Sequence, residues 1–340
     1  MAERYLSVGK LEPQVLKQLI FNRLGTQNSR VLLAPNIGED AAVIDFGDRA
    51  LVVHSDPITG AVENVGWLAV NVCTNDIATR GIHPLWILTV LLLPEAFTIT
   101  QLKDIMAQID RASKQLGVAV VGGHSEVTVG INRPIIITTA IGEAVNKKFV
   151  RTSGAKVGDC IIMTKGAAIE GTAILAYELS SFLEEKIGKK TVEKAKKFIK
   201  MTSVVKDALT AVEAGEVHAM HDATEGGIAG GLQEIAWASN VGLVAYETKI
   251  PVCPETDVIC KTLGIDSLKT ISSGTLIIAA KPESAEKIVA ALTREGVRAT
   301  IIGKVTEKKQ GAYIIRKNGV KLNLSKPIKE ELWTALNEPL

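Results

Sequence analysis

The stretch "NVGWLAVNVCTNDIATRG" restricts what this chain can become more than any other. Counting from Glu63, the residues Val65, Leu68, Ala69 and Val72 recur at the three- and four-residue spacings of one helix face. The same spacings run on into Asn75, Asp76 and Thr79. A helix that buries this face carries a carboxylate into the interior, where an unpaired charge is costly. The fold therefore has to bring Asp76 a partner: a metal, a ligand or a backbone N–H.

At 340 residues the chain exceeds one typical core and suits two domains. Lys and Arg (39) nearly balance Asp and Glu (37), so bulk electrostatics gives no reason to expect a nucleic-acid partner. The basic run from Lys186 to Lys200 reads as a solvated helix face. The longest apolar run, "PLWILTVLLLP", is bracketed by prolines and reads as a buried strand, not a membrane span. The N-terminus lacks an apolar core of signal-peptide length, and the expected location is the cytoplasm. Cys73, Cys160, Cys253 and Cys260 form no CxxC pair, which argues against a zinc knuckle. Cys253 and Cys260 could meet, but reduced thiols are the cytosolic default.

Residues 11–24 read as a helix with Leu16, Leu19, Ile20 and Leu24 on one face. "AAVIDF" and "RALVVHSD" read as a hairpin, followed by the Asp76 helix, the strand "PLWILTVLLLP" and the long helix "TITQLKDIMAQIDRASKQLG". "VAVVGG" and "RPIIITTAIGEA" are two more strands. The aperiodic segment "NKKFVRTSGAKVGD" places a boundary that divides 1–147 from 148–340. The second part opens with strand "CIIMTKG", then has helices over roughly 168–214, the segment "VHAMHDATEGG" and a helix from about Ile228 to Ser239. It closes with "LVAYE", "GTLIIAA", "PESAEKIVAALTREG" and "ATIIGKV". Strands and helices mix without strict alternation, which argues for an α+β fold. No GxGxxG follows a strand and no P-loop is present.

Four polar groups stand at the ends of predicted elements in the first half: Glu39 and Asp40, Asp56, Asn75 and Asp76, and His124, Ser125 and Glu126 after paired glycines. Any one of them reads as a cap or a solvated turn. Several acids facing an inward Asp form a hard-oxygen set suited to Mg²⁺ with phosphate oxygens, against the alternative of a backbone-satisfied Asp76. In "HDATEGGIAGG", Asp222 or Thr224 is placed to cap a helix with Glu225 in its first turn. The glycines allow close approach of a phosphate or of another strand. His221 is either a general base or a hydrogen-bonded structural residue.

The segments "GEDAAVI", "HSDPITG", "AVNVCTNDIATRGIHPLW", "VVGGHSEV", "RTSGAKVGDCIIMTKGAAIEGTAIL" and "HDATEGGIAGGLQEIA" follow one another over about Gly38 to Lys304. In order and spacing they resemble the superfamily of aminoimidazole ribonucleotide (AIR) synthase and the hydrogenase maturation factor HypE. The resemblance implies a two-domain PurM-like α+β fold. The N-terminal AIR synthase-like domain (1–147) pairs its sheet with a second copy into a barrel at a homodimer interface. The C-terminal domain (148–340), an α+β sandwich, covers the cleft. It implies ATP and Mg²⁺, with Asp40, Asp56 and Asp76 on the metal. Asp40, Asp56, Asn75, Gly122, Gly123, Arg151, Asp222, Gly226 and Gly227 are then expected around the nucleotide, and His124, Glu126 and His221 in catalysis.

Two departures bear on the reaction. HypE ends in a tail cysteine that carries the carbamoyl group, whereas this sequence ends "WTALNEPL" with no cysteine after Cys260. HypE also usually has Lys near the glycine pair, where this chain has Glu126. The expected function is ATP- and Mg²⁺-dependent activation of a carboxamide-like or other oxygen, on a small-molecule or protein-borne substrate, with a hydrogenase-maturation partner. The alternatives are a small-molecule kinase of the superfamily and a non-catalytic ATP-binding regulatory or assembly dimer.

Overall fold

The computed structural model describes residues 10–337. The first helical turn, α1 (Pro13–Val15), runs into a wider-wound turn over Leu16–Ile20 and stops. The helix expected over 11–24 is thus shorter. Leu19, Ile20 and Leu24 of its expected apolar face are exposed, so no packing layer holds the helix on.

The first sheet holds β1 (Val31–Leu33), β2 (Ala42–Phe46), β3 (Arg49–Ile58), β4 (Pro84–Leu93), β5 (Ala119–Val127) and β6 (Ile135–Val145), in the order β1-β2-β3-β6-β4-β5. Only the β4–β5 pair is parallel, because α3 (Ile99–Leu116) carries the chain across between them. Helix α2 (Val65–Ala78) lies against β3 and β6, and α3 packs on α2. Thr98 and Gln101 form a reciprocal capping box at the start of α3. β5 runs four residues beyond the expected "VAVVGG" strand, through Glu126 to Val127, and it is exposed along its whole length. At Gly123 a side chain is impossible: φ is +148° and a Cβ would fall 1.8 Å from the Thr89 carbonyl oxygen. The glycine pair therefore lets the edge strand close on β4.

The second sheet holds β7 (Cys160–Thr164), β8 (Val217–Asp222), β9 (Gly242–Tyr246), β10 (Leu276–Ala280), β11 (Ala299–Thr306), β12 (Ala312–Ile315) and β13 (Lys321–Asn323), in the order β13-β12-β9-β11-β7-β10-β8. Helices α4 (Ile169–Glu178), α5 (Ser180–Ile187), α6 (Lys189–Lys196), α7 (Val205–Ala214), α8 (Gly227–Ser239), α9 (Pro254–Thr262), α10 (Pro282–Arg294) and α11 (Leu332–Asn337) complete it. Along β10, Ile277 and Ala279 pack with residues of α8, while Leu276, Ile278 and Ala280 pack with α7 and α10. Both faces are covered, which explains the unbroken apolar run "LIIAA". The architecture is the expected α+β fold in two domains. All four cysteines are free thiols, so Cys253 and Cys260 are not bridged.

Candidate functional site

The two halves of the chain meet at a cleft of about 840 Å³. From the first half come Glu39 and Asp40 in the turn before β2, His54 and Asp56 on β3, and Asp76 on α2. From the second come Thr224 to Gly226, Glu234 on α8, and the segment Pro327–Thr334. β3 alternates faces, so His54 and Asp56 point the same way.

Buried charge is concentrated behind this wall. Arg80, four residues beyond Asp76, has no exposed side-chain surface. Its guanidinium donates to Glu39 Oε2 (2.8 Å), Asp40 Oδ2 (2.9 Å), Thr152 Oγ1 (2.8 Å) and the Met220 carbonyl (3.2 Å), and so ties the two halves together. His221 lies between two carboxylates, 2.6 Å from Asp40 Oδ1 and 2.5 Å from Glu234 Oε2. The Asp40 contact is ionic and not an aligned hydrogen bond. Lys10 extends the row, 2.7 Å from Glu234 Oε1.

The two histidines end in opposite states. Burial alone would lower His221, but Asp40 and Glu234 outweigh it and lift it to about 10, so it is an imidazolium at neutral pH. Burial pushes His54 down to about 4 against the pull of Asp40, so it is neutral. Asp40 faces burial, yet His221 and Arg80 hold it below its ordinary range. For the remaining acids the nearby cations do not outweigh burial and repulsion. Burial first, then Glu225, raises Asp56 to about 7. Burial, then Asp40, raises Asp222 to about 7. Burial, then repulsion from Asp222, Asp40 and Asp56, lifts Asp76 well above its usual range. His54 Nε2 stands 3.3 Å from Asp76 Oδ2. Asp222 is 1% exposed, and neither of its carboxylate oxygens has a hydrogen-bond partner. Crowded carboxylates, one of them wholly unsatisfied, fit a hard divalent cation such as Mg²⁺.

Not every expected residue reaches this place. Asp40, Asp56, Asp76 and Gly226 line the cleft. Asp222 and His221 stand just behind it on β8. Asn75 is wholly buried and engaged elsewhere: its Nδ2 donates to the Thr202 carbonyl and its Oδ1 accepts from the Val204 N–H, both 2.8 Å. Gly122, Gly123, His124 and Glu126 lie on the exposed edge strand β5, where His124 Nε2 is 3.1 Å from Glu126 Oε2. Arg151 is exposed and stacks over the Phe149 ring. Neither Asp222 nor Thr224 caps α8. Its N-cap is Gly226, without a side-chain cap, and the Gly226 N–H donates instead to Glu330 Oε2 at 2.6 Å. Asp222 closes a strand and the chain needs 223–226 to turn, so the helix begins too late for either residue. Gly227 (φ +58°) passes so close to Thr270 that a Cβ would meet its carbonyl oxygen at 2.5 Å, so packing fixes that glycine.

Sequence reasoning passed over His54, Arg80, Glu234 and Lys10. His54 is two residues before Asp56 on a strand, and Arg80 is four after Asp76 at the end of a helix, so both were within reach of a same-face argument. Glu234 and Lys10 join only through the tertiary fold.

A domain family described as AIR synthase related protein, N-terminal domain, matches residues 38–144, and its C-terminal counterpart matches 156–316. The chain belongs to the AIR synthase related family. A protein of Methanocaldococcus jannaschii named for hydrogenase expression and formation is 32% identical over 313 residues, covering 90% of this chain and 91% of that protein. Carbamoyl dehydratase HypE of Rhizobium leguminosarum bv. viciae is 31% identical over 277 residues, covering 79% of this chain and 77% of its own. A crystal structure of hydrogenase maturation protein HypE in complex with ATP superposes with a TM-score of 0.67 at 25% identity, covering 95% of this chain and 97% of that one.

Proposed function

We propose that this chain is a HypE-like, ATP-dependent enzyme that binds ATP with Mg²⁺ in the cleft and activates a carboxamide-like or other oxygen by phosphoryl transfer. One observation carries the reading: Asp56 and Asp76 line the cleft with Asp222 just behind it, and among the described residues none of the three is ion-paired with a Lys or Arg. The similarity to HypE with ATP and to carbamoyl dehydratases supports the nucleotide and the class of reaction. A volume of about 840 Å³ lies in the range of small-molecule sites.

Asp40, Asp56 and Asp76 would hold the ion, with Asp222 at their side. Bound there, Mg²⁺ would neutralise charge on phosphate oxygens. The chain's own residues prepare the place. Arg80 and His221 keep Asp40 ionised and fixed. His221, with a carboxylate at each nitrogen, acts in this reading as a positioning cation; at neutral pH it has no free lone pair for a base. Gly226 presents an N–H at the N-terminus of α8, now taken by Glu330. His124, Glu126, Gly122 and Gly123 keep their proposed roles only through a homodimer that joins β5 edges, because they stand outside the cleft of their own chain. Arg151 at the junction and a hydrogenase-maturation partner remain part of the proposal.

Calorimetric titration of a nonhydrolysable ATP analogue, with and without Mg²⁺, tests it. Wild type should bind far more tightly with Mg²⁺, and Asp76→Asn should lose at least tenfold of that gain. Equal affinities for the two proteins overturn the metal reading. Phosphate release from ATP on addition of a carbamoylated thiol peptide separates the enzyme from a kinase or a non-catalytic binder.

A further inference from the structure

We propose that Lys10 is the phosphate-contacting cation of the cleft, its ammonium bonding to phosphate oxygens of the nucleotide beside the Mg²⁺ ion. The inference rests on the reading above and goes further, to a residue outside the aspartate set and to the part of the nucleotide it holds.

The charge balance of the cleft asks for such a residue. Among the described residues, eight with carboxylate side chains and two lysines, Lys10 and Lys329, line it. A divalent ion held by Asp40, Asp56 and Asp76 has its charge already matched by the protein. Phosphate oxygens brought alongside then meet a negative wall, and they are repelled unless a side chain supplies further positive charge.

An alternating row of charges delivers one. From Glu39 the row runs through Arg80, Asp40, His221 and Glu234 to Lys10, with successive contacts of 2.8, 2.9, 2.6, 2.5 and 2.7 Å. The first five side chains are at most 16% exposed, whereas that of Lys10 is 49% exposed. The row thus neutralises its inner members against one another and turns its positive end to the cleft. Glu234 gives Oε2 to His221 and Oε1 to Lys10, so the ammonium is aimed by a carboxylate that is itself held. An ammonium has three donors, and Glu234 Oε1 takes one of them.

Lys10 also stands within reach of the acids assigned to the ion. Against burial, Glu234 and then Glu225 and Asp40 hold its ammonium charged. Its charge in turn offsets part of the crowding at Asp56 and Asp222. The side chain suits the task, being a compact point charge on a flexible stem. Small rotations let it share its donors between Glu234 and a phosphate oxygen. A cation held there also stabilises charge that builds on a transferring phosphoryl group.

The test uses the full chain. Wild type is treated with adenosine diphosphopyridoxal, whose aldehyde stands near the place of the terminal phosphate and forms an imine with a lysine; borohydride fixes it, and peptide mass identifies the residue. Lys10 should carry the label, and an excess of a nonhydrolysable ATP analogue with Mg²⁺ should block it. In calorimetric titrations Lys10→Met should weaken the analogue with Mg²⁺ at least tenfold. MgCl₂ alone should bind that variant as tightly as wild type or more tightly, because a repelling charge is gone. Lys10→Arg should restore analogue binding to within threefold of wild type. The labelling needs no variant, so a misfolded Lys10→Met leaves the proposal open to refutation. Label on Lys329 and none on Lys10, with analogue binding unchanged in Lys10→Met, overturns the Lys10 proposal and leaves the metal reading standing. Equal loss of Mg²⁺ and analogue binding in Lys10→Met, without rescue by Lys10→Arg, makes Lys10 a support of the row and overturns it as well. No analogue binding to wild type at any Mg²⁺ concentration overturns both readings.

Discussion

Two aspartates, each 1% exposed, sit in the second half of this chain under contrasting conditions. Asp207 on α7 accepts from Lys165 Nζ at 2.6 Å and from Thr164 Oγ1 at 2.7 Å. Lys165 spends its other donors on the carbonyls of Ser203 and Gly274, each at 2.8 Å. Asp222 on β8 has nothing on either oxygen and other acids around it. The first is a closed structural unit that the chain completes by itself. The second is an open one. Burial alone therefore does not mark a functional acid; burial without an internal partner does.

The comparison can be broken at either end. The largest effect is expected from pH without divalent ions, which sharpens the contrast. Below about pH 4 the Asp56 and Asp222 carboxyls are protonated in both states. Between about 4 and 7 the unfolded chain ionises while the folded one holds its protons, so stability falls as pH rises, and the loss is complete above 7. Its size should be on the order of 4 kcal/mol for each carboxyl, and Asp222→Asn should flatten that slope in thermal melts across the range. Next, Lys165→Met strands Asp207 in the interior and should cost about 3 kcal/mol in urea unfolding, divalent ions making no difference. A divalent cation at a hundred times its Kd should stabilise wild type by about 2.7 kcal/mol, reversibly with EDTA, and should do nothing for Asp76→Asn. The smallest effect belongs to Lys261→Met. It breaks an exposed pair with Asp257 and should leave the melting temperature unchanged within measurement.

Much of the fold was legible because its elements carry their own periodicity. The α2 stripe, the β2–β3 hairpin and the apolar run of β10 each announce a buried face through local spacing. Helix 11–24 shows the limit: its stripe is as regular as that of α2, but the fold brings no layer to it. Strands β12 and β13 and helix α9 were not distinguished, being short and weakly patterned. At the site, Asp40, Asp56 and Asp76 could be found because each sits at an element end beside glycine or proline, or on an apolar face. That Asn75 turns to the backbone of 202–204 while its neighbour turns to the cleft depends on contacts more than a hundred residues away. No local pattern encodes that choice. The Glu330 carboxylate that takes the place of a cap on α8 is equally remote.

The sealed guanidinium of Arg80 has a mechanical consequence. It grips the turn before β2 on one side and the backbone of β8 on the other, so the joint between the two halves has one stiff corner. Any opening of the cleft must swing about that corner.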